Sequence, residues 1–211
     1  MSSRSVFVNA LTFARVPLIL GWLALAIVQA FNGSIALAFT AGAFMFLSGI
    51  TDLFDGRLAR KWNVVSPLGS MADPLMDKVF YVVTFPALTW LIAFQGESDA
   101  HALAMLAFTI LYILRDLWVT FLRSVGSLYG ADVSAMWLGK VRTALSFPAA
   151  GWVYAYLTIH FLVPENAAAV RDGWLWSCYV IEGFMTALNL YSVFSYTRSY
   201  APYMKRALER R

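Results

Sequence analysis

The sequence predicts an all-α integral membrane protein with six transmembrane helices. Three observations carry that reading. First, 60% of the 211 residues are hydrophobic and only 13% are charged, more apolar side chain than a soluble core of this size can bury. Second, the apolar residues gather into six stretches of about membrane-spanning length, at 9–31, 34–58, 74–95, 101–125, 139–162 and 174–198. Third, the basic residues are one-sided. Arg4, Arg15, Arg57, Arg60, Lys61, Lys78, Arg115, Arg123, Lys140, Arg142, Arg198, Lys205, Arg206, Arg210 and Arg211 fall at or near one set of stretch ends, leaving Arg171 opposite. Because cytoplasmic loops accumulate Lys and Arg, both termini are read as cytoplasmic, in a bacterial inner or plasma membrane.

The first stretch follows Arg4 and contains Val28-Gln29-Ala30, which imitates a signal-peptide cleavage site. Its apolar run from Ala10 to Phe31 is nevertheless long enough to span, so it is read as a membrane helix. Asn32-Gly33-Ser34 is a turn signal, with Ser34 placed to cap the second helix. Gln95-Gly-Glu-Ser-Asp99 parts helices three and four, while Pro164-Glu-Asn and Arg171-Asp-Gly173 part five and six. No repeat or low-complexity segment interrupts the chain, which reads as one domain over 1–211.

The net charge of +4 reports topology before it reports a nucleic-acid partner, and none is expected. The basic run from Lys205 to Arg211 suits anionic lipid headgroups. Trp62, Trp174, Trp176, Tyr200 and Tyr203 suit interfacial anchoring. Cys178 stands alone, cannot form an intrachain disulfide and is read as a small buried hydrophobe. His101 and His160 are read as single interfacial residues without metal roles.

Four carboxylates stand out against this apolar background. An ionised Asp at membrane depth costs several kcal/mol, so such residues face a protein interior or a watery cavity and mark functional sites. Asp52 and Asp55 are three apart near the cytoplasmic end of helix two, and Asp73 and Asp77 are four apart at the start of helix three. Each pair shares one helical face, and the short connection lets the pairs converge. Carboxylate oxygens at that spacing suit two hard cations, Mg²⁺ or Mn²⁺, which can clamp a phosphoryl group between them. Two blander readings compete. Asp73 before Pro74 resembles a helix N-cap with proline in the first turn, and Asp52 and Asp55 can pair with Arg57, Arg60 or Lys61. Neither covers all four acids, whose mutual repulsion calls for a cation.

Gly56 follows Asp55 inside a helix, where glycine costs around 1 kcal/mol against alanine, which points to a ligand approaching the backbone. Ala59 keeps that face shallow, and Arg60 can hold a phosphate. Gly69 fits either close approach or a plain turn.

Together these residues carry a resemblance. Asp52-x2-Asp55-Gly56-x2-Ala59-Arg60-x8-Gly69-x3-Asp73-x3-Asp77 matches without departure the signature of the CDP-alcohol phosphotransferase family. Asn9-x2-Thr12-x2-Arg15 looks like that family's N-terminal pattern. Arg115-Asp116 with Gly139-Lys140-x-Arg142-Thr143 is similar to the second half of the phosphatidylglycerophosphate synthases. The likeness runs from about residue 9 to 145. It implies an active site at the cytoplasmic side, in which Asp52, Asp55, Asp73 and Asp77 hold two divalent cations over the diphosphate of CDP-diacylglycerol. Asp77 is also implied as general base. Asn9, Thr12, Arg15, Asp55, Gly56, Ala59, Arg60, Ser66 and Gly69 are implied as CDP-lipid contacts, although a Ser before Pro67 is also an ordinary turn residue. A homodimer is implied as well.

The acceptor is read from Arg115, Arg123, Lys140 and Arg142, at the cytoplasmic ends of helices four and five. Topology alone places basic residues there. If they converge, they form a phosphate pocket for a small phosphorylated alcohol, with glycerol 3-phosphate first and inositol phosphate, phosphatidylglycerol or serine as alternatives. Intramembrane acids also build ion pathways, so a divalent-cation transporter is the rival from another class. The clustering of all four acids near one face argues against it.

Overall fold

The computed structural model describes residues 3–95, 98–132, 137–159, 162–163 and 167–209. His160, the predicted break at 164–166, Arg210 and Arg211 lie outside the described residues. The described residues form six α-helices: α1 (Ser3–Asn32), α2 (Ile35–Lys61), α3 (Pro67–Gln95), α4 (Asp99–Leu128), α5 (Trp137–Ile159) and α6 (Ala168–Glu209). The first four are long and apolar enough to cross a membrane. The two others carry Lys140, Arg142, Glu182, Asn189 and Ser192 within their length.

The α1–α2 turn forms as the sequence predicts. Gly33 adopts φ 63°, a left-handed conformation that costs glycine little, and its amide donates to the Gln29 carbonyl at 2.8 Å. Ser34 then caps α2, its hydroxyl accepting from the Leu37 amide at 3.4 Å.

The entry to α3 differs from expectation. The helix begins at Pro67 rather than at residue 74, so Asp73 is not its N-cap and Pro74 lies inside it. Ser66 takes the capping role. Its hydroxyl accepts from the Gly69 amide at 2.9 Å, and its carbonyl accepts from the Ser70 amide at 3.0 Å. Pro67, which has no amide hydrogen to leave unpaired, fits the first helical position. This earlier start sets Asp73 and Asp77 within one helix, where both reach Arg15 of α1.

α1 packs against α2 and α3, α3 also touches α4 and α5, and α6 packs against α4 and α5. Every helix contributes to one core, including Trp22, Met45, Leu88, Met105, Val153 and Met185. Phe85 sets its ring edge-to-face with Phe108 at 5.0 Å and Tyr112 at 4.9 Å, pairs worth about 0.5–1.5 kcal/mol each beyond burial. Large apolar side chains such as Phe39, Phe46, Leu103 and Leu117 point outward, as lipid-facing residues do.

Two smaller readings change. Tyr200 is buried and donates to the Asp132 carbonyl at 2.9 Å, so it is a packing residue rather than an interfacial anchor. His101 is fully buried, with its Nε2 2.8 Å from Glu182 Oε1 of α6. A charged or polar partner deep in the bundle is how such a group avoids water, which periodicity alone did not disclose.

Candidate active site

The predicted carboxylates converge, and the group at their centre is Arg15. Residues of α2 bring Asp52 and Asp55 to one helical face, α3 brings Asp73 and Asp77, and α1 inserts a guanidinium between them. Arg15 Nη1 lies 2.6 Å from Asp52 Oδ1 and 3.2 Å from Asp77 Oδ1. Its Nη2 lies 2.5 Å from Asp55 Oδ2 and 2.7 Å from Asp73 Oδ1. Arg57, Arg60 and Lys61 do not take that place. One buried guanidinium therefore offsets part of the repulsion among four acids, and leaves three negative charges over.

Asp55 is the most enclosed of the four, with 3% of its surface exposed. Its Oδ2 also accepts from Thr12 Oγ1 at 2.9 Å, and its Oδ1 accepts from the Gly56 amide at 2.5 Å. Asn9 stands one turn before Thr12, where its Oδ1 accepts from Ser66 Oγ at 3.0 Å. A methyl on Gly69 would lie 3.0 Å from Ser66 Oγ and 3.2 Å from Asn9 Oδ1. Gly69 is thus a helical glycine at a close approach of α1 and α3, not a turn residue.

An open cleft of about 570 Å³ joins this cluster to the basic residues. Arg15, Asp52, Asp55, Gly56, Arg60, Asp73 and Asp77 line one part, and Lys78, Arg115, Asp116, Arg123, Lys140 and Arg142 line the other. Asn9, Thr12, Ala59, Ser66 and Gly69 stand outside the lining, with Thr12 bonded to Asp55, and Asn9 and the Gly69 amide bonded to Ser66. Gly56 faces the cleft freely: a methyl built there meets nothing nearer than the Arg60 guanidinium at 3.7 Å. No internal contact requires glycine at that position.

The basic part is held by Asp116, which belongs to the Arg115-Asp116 pattern, and by residues of α3, α4 and α6 that sequence reasoning did not single out. Arg142 is almost fully buried, its guanidinium 4.0 Å over the Tyr112 ring and 5.7 Å from that of Tyr81. It donates to Asn189 Oδ1 at 3.3 Å and to Asp116 Oδ1 at 3.2 Å. Arg115 donates to Ser192 Oγ through Nε at 3.1 Å and again through Nη2, and lies 5.2 Å over the Tyr196 ring. Lys78 Nζ reaches Asp116 Oδ2 at 3.1 Å and Thr120 Oγ1 at 3.0 Å. Five cationic side chains thus face one carboxylate, and the surplus favours an anion. The signal for α6 was present: Asn189, Ser192 and Tyr196 repeat at helical spacing inside an apolar stretch.

A family model described as CDP-alcohol phosphatidyltransferase matches residues 6–188. The chain belongs to the CDP-alcohol phosphatidyltransferase family. Among relatives in this family, a protein of Rickettsia felis is 31% identical over 198 residues, covering 91% of this chain and 95% of its own. One from Mycoplasma genitalium is 30% identical over 178 residues, 84% of this chain and 70% of its own. One from Escherichia coli is 29% identical over 117 residues, 54% of this chain and 60% of its own. All three are named CDP-diacylglycerol–glycerol-3-phosphate 3-phosphatidyltransferase. Enzymes of the CDP-alcohol phosphatidyltransferase family generally depend on divalent cations. The donor set fits such an ion, since Asp52, Asp55 and Asp73 each offer an oxygen, all within 4.8 Å of one another.

Proposed function

We propose that this protein transfers the phosphatidyl group of CDP-diacylglycerol to glycerol 3-phosphate, giving phosphatidylglycerophosphate and CMP. The observation that carries this reading is the single cleft in which a carboxylate cluster and a cationic wall meet. Donor diphosphate and acceptor phosphate are both anions: the carboxylates can serve the first through bound divalent cations, and the cationic wall serves the second directly. The names of the relatives support the same donor and acceptor.

Two divalent cations, Mg²⁺ or Mn²⁺, held by Asp52, Asp55, Asp73 and Asp77 would supply neutralisation of the donor's diphosphate charge. Gly56 leaves room for the nucleotide against α2, and Arg60 lies one turn on to meet a phosphate. Arg115, Arg123, Lys140 and Arg142 hold the acceptor's phosphate, which leaves its hydroxyl directed toward the carboxylate side. Asp77 takes the proton of that hydroxyl. The acceptor oxygen then bonds to the lipid-side phosphorus as the phosphorus–oxygen bond to CMP breaks, and CMP leaves with the electron pair. The chain acts as one membrane domain over 1–211, with six transmembrane helices, both termini and the cleft on the cytoplasmic side of a bacterial membrane, and as a homodimer.

The test is CMP release by purified protein in lipid. Release is expected only when Mg²⁺ or Mn²⁺, CDP-diacylglycerol and glycerol 3-phosphate are all present, and mass analysis should identify phosphatidylglycerophosphate. Asp77→Asn should slow release by at least about 100-fold. Wild-type turnover by that variant would remove Asp77 from the role of base, and a product formed with inositol phosphate, phosphatidylglycerol or serine instead would replace the acceptor.

A further inference from the structure

The three carboxylates that suit a divalent cation are all engaged by Arg15, each through one oxygen. Its two terminal nitrogens lie 2.5 to 2.7 Å from oxygens of Asp55, Asp52 and Asp73. A cation bound to those oxygens sits about 2.0–2.6 Å from each, so it needs the volume that the guanidinium fills. Asp55 Oδ2, the oxygen that Arg15 engages, also accepts from Thr12, and Oδ1 accepts from the Gly56 amide, so a cation at Asp55 Oδ2 competes with donors already in place. Arg15 in turn is 4% exposed, and its Nε is buried without a hydrogen-bond partner, so within the site only the four acids compensate its charge.

From these contacts we infer that Arg15 is an exchangeable placeholder for metal. Resting on the metal reading above, the inference is that the guanidinium and a divalent cation exclude each other at one set of oxygens. Loading the site displaces Arg15 from the acids, and Arg15 sets the apparent metal affinity. Holding α1, α2 and α3 together through Arg15 keeps the acids assembled until the ion arrives. The cost is weaker apparent binding, since only the fraction of molecules with Arg15 withdrawn is competent.

Mn²⁺ titration of the full chain in nanodiscs without substrates tests this, with the electron paramagnetic resonance signal of free Mn²⁺ as the readout. Arg15→Gln removes the competing charge and should lower the Mn²⁺ dissociation constant by at least about tenfold. Arg15→Lys, which keeps the charge but loses the fork, should fall between that variant and the wild type. An Arg15→Gln protein that binds Mn²⁺ no more tightly than wild type overturns the placeholder. Should Arg15→Gln unfold on purification, recovery of its thermal transition on adding Mn²⁺ supports exchange, and no recovery overturns it. Asp55→Asn separates the two levels of the reading: it should abolish tight Mn²⁺ binding, and binding retained there would sink the metal site itself.

Discussion

The Lys78 ammonium lies 3.1 Å from Asp116 Oδ2, while the residue before it, Asp77, faces Arg15. Adjacent residues of α3 therefore belong to opposite halves of the cleft, and Asp116 ties the second half together through Lys78 and Arg142.

That makes Asp116 a positioning residue for the cationic wall. Asp116→Asn should raise the KM for glycerol 3-phosphate about tenfold or more, while the KM for CDP-diacylglycerol changes little, because removing one partner of a hydrogen-bonded buried charge costs about 2 kcal/mol or more. Steady-state kinetics with each substrate varied in turn measures the split. Equal rises in both constants would mean that the cleft as a whole had shifted.

Gly56 and Gly49 should respond in opposite ways to alanine. A methyl at Gly56 meets only ordinary contact, so Gly56→Ala should stabilise α2 by about 0.5–1 kcal/mol through helix propensity, yet weaken use of the CDP-lipid. At Gly49 the methyl would run into the Phe147 ring, which itself packs on Phe80 at 5.2 Å. Gly49→Ala should therefore destabilise by about 1–3 kcal/mol, with Phe147→Leu restoring much of it. Thermal unfolding alongside CDP-diacylglycerol kinetics separates the two; a Gly56→Ala enzyme with unchanged KM would show that nothing approaches there.

At the other end of α4, His101 and Glu182 bind each other in the core, with His101 Nδ1 and Glu182 Oε2 lacking further partners. Double-mutant cycles on unfolding of His101→Ala and Glu182→Ala should give a coupling of about 0.6–2 kcal/mol, in the range of polar pairs between membrane helices. Turnover per folded molecule should hold, since neither residue lines the cleft. No measurable coupling would make the contact incidental to stability.

Much of this molecule was legible because its constraints are local. Helical spacing within the 52–77 stretch put each carboxylate pair on one face, and apolar run lengths found all six helices. What sequence could not show is which distant groups meet. Arg15 reached the acids from α1 although Arg57, Arg60 and Lys61 were nearer in sequence, because the packing of α1 against both α2 and α3 brings its guanidinium among the acids. The start of α3 was misread at Asp73-Pro74 because the Ser66 cap and Pro67 form an equally good helix entry seven residues earlier. Asn189, Ser192 and Glu182 carry no local pattern that names their partners, which packing alone supplies.

The short passage from Trp62 to Ser66 between α2 and α3 has a consequence for biogenesis. Arg15 and all four acids fall within the first three helices, so the nascent chain holds every member of the acidic half by the time Gln95 has been made. The cationic wall instead waits for Asn189 and Ser192 of the last helix. Domains form from the N-terminus as synthesis proceeds, and here that order delivers an acidic half partly offset by Arg15 to the bilayer before Arg115, Arg123, Lys140 and Arg142, four of the five cations of the facing wall.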